Sequence, residues 1–241
     1  MDQFCKTIKE VALVSGLPIL ADADTGFGEG EMVHKTVYEY FLSGASGLHI
    51  EDQVFPKRCG HLDGKALISR EDMATKVSIA ARASKEVSGG EFVICARTDA
   101  AGVIGLDETI ARSKLFIEAG ADMIFPEGLN SEDDFARVAK ELKGYGKKGG
   151  PFLLANMTEF GKTPYITLEK FKQMGYHCVI YPVSTFRIAN KAIDSFLKDL
   201  KQKGTQKDTV PNMQTRKELY NTIKYTPGKE YYYPDATNQN K

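Results

Sequence analysis

Six short apolar runs rich in β-branched residues recur along the chain: LPILADAD (17–24), GLHIEDQ (47–53), FVICARTD (92–99), DMIFPE (122–127), FLLANMT (152–158) and HCVIYPV (177–183). Runs of this length and composition predict strands. The segments between them place apolar residues at the helical period, as at Val33, Val37, Tyr40 and Phe41, or Phe135, Val138, Ala139 and Leu142. Ser69 with Asp72, and Ser131 with Asp134, stand where a helix start needs a side-chain acceptor and an acid in its first turn. Three helix exits, LSGASGLHIED, IEAGADMIFPE and KQMGYHCVIYP, repeat one design: a glycine for the left-handed cap, a short connection, then a strand.

Strands separated by helices imply parallel pairing through right-handed crossovers, which leaves a doubly wound sheet or a (β/α) barrel. No GxGxxG or Walker sequence supports the first, and DTGFGEG lacks the phosphate loop's Lys-Ser/Thr and follows two aspartates that would repel phosphate. The expected fold is α/β, a (β/α)8 TIM-type barrel. Such a barrel has eight strands in roughly 250 residues. Six strands are visible here, so the first two are expected to precede Met1, with a helical extension at the C-terminus. The expected division is residues 1–186 as a partial barrel carrying the catalytic site, 187–225 as a helical region, and 226–241 as a polar tail.

The ends of the apolar runs sharpen this picture. They carry Asp22 and Asp24, Glu51 and Asp52, Arg97 and Asp99, Glu127, and Asn156 and Thr158, with Arg187 shortly after the last run. In a barrel these ends converge on one rim, where such folds keep their active sites. Asp22, Asp24 and Glu51 offer hard oxygen donors suited to Mg2+, which completes its shell with water and substrate oxygens; the same acids could instead cap the following loop and helix. Arg97, Arg187 and Arg216 can fork around carboxylates, so a polycarboxylate substrate is expected. Asn156 and Thr158 add neutral hydrogen bonds. In EDQVFPKRCGH (51–61), Cys59 sits among cations, a setting for a thiol that gives or takes a proton, with Lys57 and His61 tuning it. His34, His49 and His177 read as interior structural histidines.

Composition narrows the partners. Lys plus Arg and Asp plus Glu are 32 each, so no overall field draws the chain to nucleic acid or to an anionic membrane. No run approaches the roughly 18 apolar residues of a membrane span, and MDQFCKTIKE reads as neither a secretory signal nor a transit peptide. The four cysteines show no CxxC spacing; Cys95 and Cys178, within apolar runs, are expected to be buried and reduced, and the protein intracellular, in cytoplasm or mitochondrial matrix.

ADADTGFG, GLHIEDQVFPKRCGH, ARTDA, FPE, NMTEFGKTP, YPVSTFR and GTQ followed by MQTR cover nearly the whole chain, and together they resemble the isocitrate lyase and phosphoenolpyruvate mutase superfamily. The later motifs are similar to its methylisocitrate-cleaving branch. The resemblance implies Mg2+-dependent cleavage of 2-methylisocitrate to pyruvate and succinate, in propionate catabolism through the methylcitrate cycle. It implies that Asp22, Asp24 and Glu51 serve the metal and that Cys59 is the general acid. Gly60, Arg97, Glu127, Asn156, Thr158, Arg187 and Arg216 are then the substrate contacts. It also implies a homo-oligomer, a tetramer exchanging its last helix between subunits. The family's N-terminal strand and Ser-Gly-Gly turn have no counterpart in this sequence. A related 2-oxo acid hydrolase or phosphonomutase, and an inactive binding or assembly subunit, are the alternatives.

Overall fold

The computed structural model describes residues 1–60, 64–146 and 150–229. They form two compact units, Met1–Tyr181 and the segment from Pro182 onward.

The first unit is a six-stranded parallel sheet in the order β1-β2-β3-β4-β5-β6, curled into a half-barrel. Its strands are β1 (Leu20–Asp22), β2 (Gly47–Glu51), β3 (Val93–Thr98), β4 (Met123–Pro126), β5 (Phe152–Asn156) and β6 (Cys178–Ile180). All six fall within the apolar runs. A doubly wound sheet reverses its strand order part-way, whereas this sheet adds each strand next to its predecessor. Helices α1 (Asp2–Ser15), α2 (Gly30–Leu42), α3 (Arg70–Ser88), α4 (Leu106–Glu118), α5 (Glu132–Leu142) and α6 (Leu168–Met174) precede, link or follow the strands.

Local signals explain these elements. Ser69 Oγ accepts from Asp72 N at 3.0 Å and Ser131 Oγ from Asp134 N at 3.1 Å, capping α3 and α5. Gly44, Gly120 and Gly175, from the three repeated exits, have φ of 98°, 111° and 96°, a region that favours glycine. The buried positions of α5, Phe135, Val138, Ala139 and Leu142, are those at the helical period.

Strand periodicity sorts side chains to two faces. Leu48, Ile50, Ile94, Ala96, Ile124, Leu153 and Ala155 pack outward with the helices in the larger core. Cys95, Met123, Phe125 and Leu154 form a small apolar cluster on the inner face. The same alternation sends Glu51, Arg97 and Asn156 to the inner face at the strand ends, and the register pairs Glu51 directly with Arg97.

Two expectations need correction. Cys95 is buried, but Cys178 is exposed, because β6 is an edge strand with few covering neighbours. His34 and His177 are not interior: His34 reaches Glu86 at 2.7 Å on the surface, and His177, exposed, accepts the Leu153 N–H at 3.1 Å. Among the described residues, no helix is long and apolar enough to cross a membrane.

The second unit contains α7 (Ser184–Lys203), a 3-10 turn (Lys207–Asn212) and α8 (Arg216–Thr222). A capping box between Thr215 and Glu218 starts α8. Residues 230–241, most of the expected polar tail, lie outside the described residues.

Candidate active site

The site grows from Arg97, near the end of β3. Its guanidinium is a buried charge that must be paired to be tolerated. Asp99 takes it in a fork, accepting from Nε at 3.0 Å and Nη2 at 3.1 Å. Glu51 stands 3.2 Å from Nε and Glu127 3.8 Å from Nη1, while the Phe125 ring lies 5.1 Å beneath. Burial opposes the charge, but Glu127, Asp99 and Glu51 raise the pKa above its ordinary value and keep Arg97 cationic. Three carboxylates thus hold this guanidinium in place from several sides.

The turn that places Asp99 is itself held. Asp52 accepts from Thr98 Oγ1 at 2.7 Å, from Asp99 N at 3.0 Å and from Arg112 Nη1 at 3.0 Å. Arg112 of α4 also binds Glu108 at 2.9 Å and the Ile68 carbonyl at 3.0 Å. Asp52, Asp99 and Arg112 therefore form a buried support behind Arg97. Arg112 was detectable in the sequence: it lies on the apolar stripe of α4 with Thr109, Ser113 and Phe116, where a charge needs a buried partner.

At the end of β1, Asp22 Oδ1 accepts from Asp24 N at 2.8 Å, and the Asp24 carbonyl accepts from Glu51 N at 2.9 Å. Asp24 is not on a regular strand, as its φ of 50° shows; a turn, not strand alternation, brings the two aspartates together. Lys57 Nζ sits between them and the next strand, 2.8 Å from Asp24 and 3.4 Å from Glu51. Burial works against its charge, while the hydrogen bond it donates to Asp24 and the fields of Glu51 and Asp22 raise its pKa. Its expected partner was the thiol; its observed partners are these acids. His49 Nε2 lies 3.9 Å from Asp22, and its buried Nδ1 has no hydrogen-bond partner. Burial lowers its pKa and favours the neutral ring, against the field of Asp22, which raises it.

Whether these acids suit a divalent ion can be judged from their own state. Glu51 is fully buried, yet among the described residues neither carboxylate oxygen has a hydrogen-bond partner, and burial pushes its pKa up to about 7 against the pull of Arg97 and Lys57. Among the described residues no preformed three-ligand metal cluster exists. The ammonium of Lys57 already occupies a cation position among the acids. A buried carboxylate with no hydrogen bond among the described residues, in a set of all-oxygen donors, fits a hard divalent cation.

Over this floor lies the loop that follows β2. Gly60 has no Cβ, and needs none: one built there would lie 2.4 Å from Glu127 Cγ and 2.8 Å from Arg97 Nη2. The backbone thus touches the Arg97 centre directly, with exposed Cys59 one residue before it. Asn156 Nδ2 donates to Glu127 at 3.1 and 3.3 Å, and among the described residues its buried Oδ1 has no partner. Thr158 is buried just beyond β5. The first unit thus links Asp22, Asp24, Glu51, Lys57, Gly60, Arg97, Glu127 and Asn156. His61 lies outside the described residues. Arg187, in the first turn of α7, and Arg216, opening α8, belong to the second unit.

A parallel α/β half-barrel with acids and a fixed guanidinium gathered at the carboxyl ends of its strands defines a small-molecule site class rather than a single activity. Residues 1–201 match the family described as phosphoenolpyruvate phosphomutase, and the chain belongs to that family. It is 47% identical over 226 residues to a 2-methylisocitrate lyase of Aeropyrum pernix, an alignment covering 91% of this chain and 70% of the relative. Its fold is similar to that of 2,3-dimethylmalate lyase, a member of the phosphoenolpyruvate mutase and isocitrate lyase superfamily (TM-score 0.82, 33% identity, 92% of this chain and 71% of the other). It also resembles phosphonopyruvate hydrolase in complex with oxalate and Mg2+ (TM-score 0.77, 25% identity, 93% of this chain and 74% of the other).

Proposed function

We propose that this protein is a carbon-carbon lyase that cleaves 2-methylisocitrate to pyruvate and succinate with Mg2+, serving propionate catabolism. The observation that carries the reading is the Arg97 centre, a buried guanidinium fixed by Asp99, Glu51 and Glu127 beside the acids Asp22 and Asp24. The similarity to 2-methylisocitrate lyases supports the substrate. The Mg2+ in the phosphonopyruvate hydrolase complex supports the metal.

Asp22, Asp24 and Glu51 would hold the ion, directly or through water. When bound, it supplies positive charge against the electron density left beside a carboxylate as the carbon-carbon bond breaks. Arg97 receives a substrate carboxylate, and Asn156, Thr158, Glu127 and the Gly60 backbone orient the remaining oxygens. Arg187 and Arg216 are further guanidinium groups suited to a substrate carboxylate. Cys59 gives its thiol proton to the carbanion that becomes succinate. Lys57 balances charge between Asp24 and Glu51, and His61 assists the thiol.

The same reading makes the fold a (β/α)8 barrel in which two further strands join these six. Residues 1–186 form the catalytic domain, 187–225 a helical region exchanged within a homotetramer, and 226–241 a polar tail. Four free cysteines support a reducing, cytoplasmic setting.

The test is pyruvate release from 2-methylisocitrate with Mg2+, compared with oxaloacetate hydrolysis. The expected result is a kcat/KM preference of about 100-fold or more for 2-methylisocitrate, the scale a polar site reaches when its groups are all matched. Faster oxaloacetate hydrolysis would make the protein a hydrolase of the same superfamily. Turnover of neither would favour a binding or assembly subunit.

A further inference from the structure

Through its described residues, the loop between β2 and α3 is fastened to the molecule at the neck, further out and near its middle. At its neck, Val54 N donates to the Ala66 carbonyl at 2.8 Å, Ile68 N to the Asp52 carbonyl at 2.9 Å, and Gln53 pairs with Leu67 in an antiparallel bridge. Further out, the Gln53 amide holds Arg58 at both its N–H and its carbonyl, each at 2.9 Å. These two attachments stop short of Cys59 and Gly60. The third is made by Lys65, whose Nζ donates to the Gly60 carbonyl and stands 3.7 Å from Asp99 Oδ1.

Lys65 does not behave as a loop lysine usually does. Its side chain is only 3% exposed, and the Asp99 side chain beside it is fully buried. A long, entropic side chain is buried with its charge only where acceptors repay the lost hydration. Gly102 closes on the same ammonium, since a Cβ there would lie 3.1 Å from Nζ. Asp99 is also the carboxylate that forks Arg97, so one anion serves both the guanidinium and the lysine that holds the loop.

We propose that Lys65 is a positioning residue: its ammonium ties the Gly60 carbonyl to the Asp99–Arg97 pair and so sets the Cys59–Gly60 segment over the strand-end site. The proposal rests on the lyase reading only for its effect on turnover. The placement of the loop is tested independently. No role for Lys65 follows from its motif, and no helical or strand period marks it.

The experiment compares Lys65→Met and Lys65→Arg with the wild-type chain. Limited trypsin digestion, read by mass spectrometry, gives the rate of cutting after Arg58, which follows the population of the opened loop. Lys65→Met is expected to raise that rate about tenfold, and Lys65→Arg to restore most of the protection. With 2-methylisocitrate and Mg2+, Lys65→Met is expected to lower kcat about 100-fold with KM within about threefold, because a misplaced proton donor matters mainly in the reaction. Unchanged cutting in Lys65→Met would overturn the inference whatever the chemistry proves to be. Faster cutting with unchanged kcat would also overturn it. If the wild-type chain releases no pyruvate but Lys65→Met still loosens the loop, the lyase reading fails and the loop attachment stands. Should Lys65→Met not fold, Lys65→Gln, with a shorter neutral donor, is expected to give an intermediate cutting rate, and a wild-type rate there would count against the proposal.

Discussion

At the scale of single residues, the site depends on one missing methyl group. Gly60 is pressed against Glu127 and Arg97, and a Cβ would come within 2.7 Å of Glu127 Oε1 as well as closer still to its Cγ. Neither neighbour can yield freely, since Glu127 is held by Asn156 and Arg97 by Asp99. Gly60→Ala should therefore lower kcat/KM by about 100-fold, the scale of a 1 Å misplacement at a reacting centre. Its thermal midpoint should change little, because the methyl group meets the loop and site rather than the main core. Steady-state kinetics and a melting curve on the same preparation check this; near-normal kcat/KM would mean that the loop does not approach Arg97 this closely. The residue types at the strand ends were legible because charges seldom end apolar runs without cause. Their pairings were not: Lys57 next to Cys59 in sequence suggested a partner for the thiol, whereas its long side chain reaches Asp24 and Glu51.

At the scale of elements, the strand ends are braced from behind. Asp52 ends β2 and receives hydrogen bonds from the β3 exit and from Arg112 of α4, so a single buried carboxylate joins three elements. Burial raises its pKa, against the hydrogen bonds of the Asp99 N–H and Thr98 and the charge of Arg112. Arg112→Met would leave that carboxylate without its ion-pair partner, an arrangement that costs about 3–5 kcal/mol. Urea unfolding should show that loss in stability. A cost below about 1 kcal/mol would assign the pair no structural weight. The sequence displayed the start signals of α3 and α5 and the periodic stripe of α5 because each is local. It gave no comparable start signal for α1, whose Phe4, Val11, Leu13 and Val14 remain exposed and which buries Ile8.

At the scale of the whole molecule, the six strands, their parallel sense and their sequential order follow from a repeated unit, and the site follows from the parity of those strands. Parity put Glu51, Arg97 and Asn156 on the inner face at one end, as the apolar runs implied. Long-range geometry was the part beyond reach: Arg112 meeting Asp52, and Lys65 meeting Asp99, join positions that no local pattern connects. Cys178 was misplaced for a related reason, since an apolar neighbourhood in sequence does not reveal that its strand lies at the sheet's edge. The central claim is that these strand ends and the Cys59 loop form one lyase site. It is tested most directly by pyruvate release from 2-methylisocitrate in Mg2+, measured for the wild-type chain and for Cys59→Ser. Turnover by the wild-type chain is expected, with a fall in kcat of about 1000-fold in Cys59→Ser and KM within about threefold; undiminished turnover in Cys59→Ser, or none in the wild-type chain, would rule out a shared lyase site.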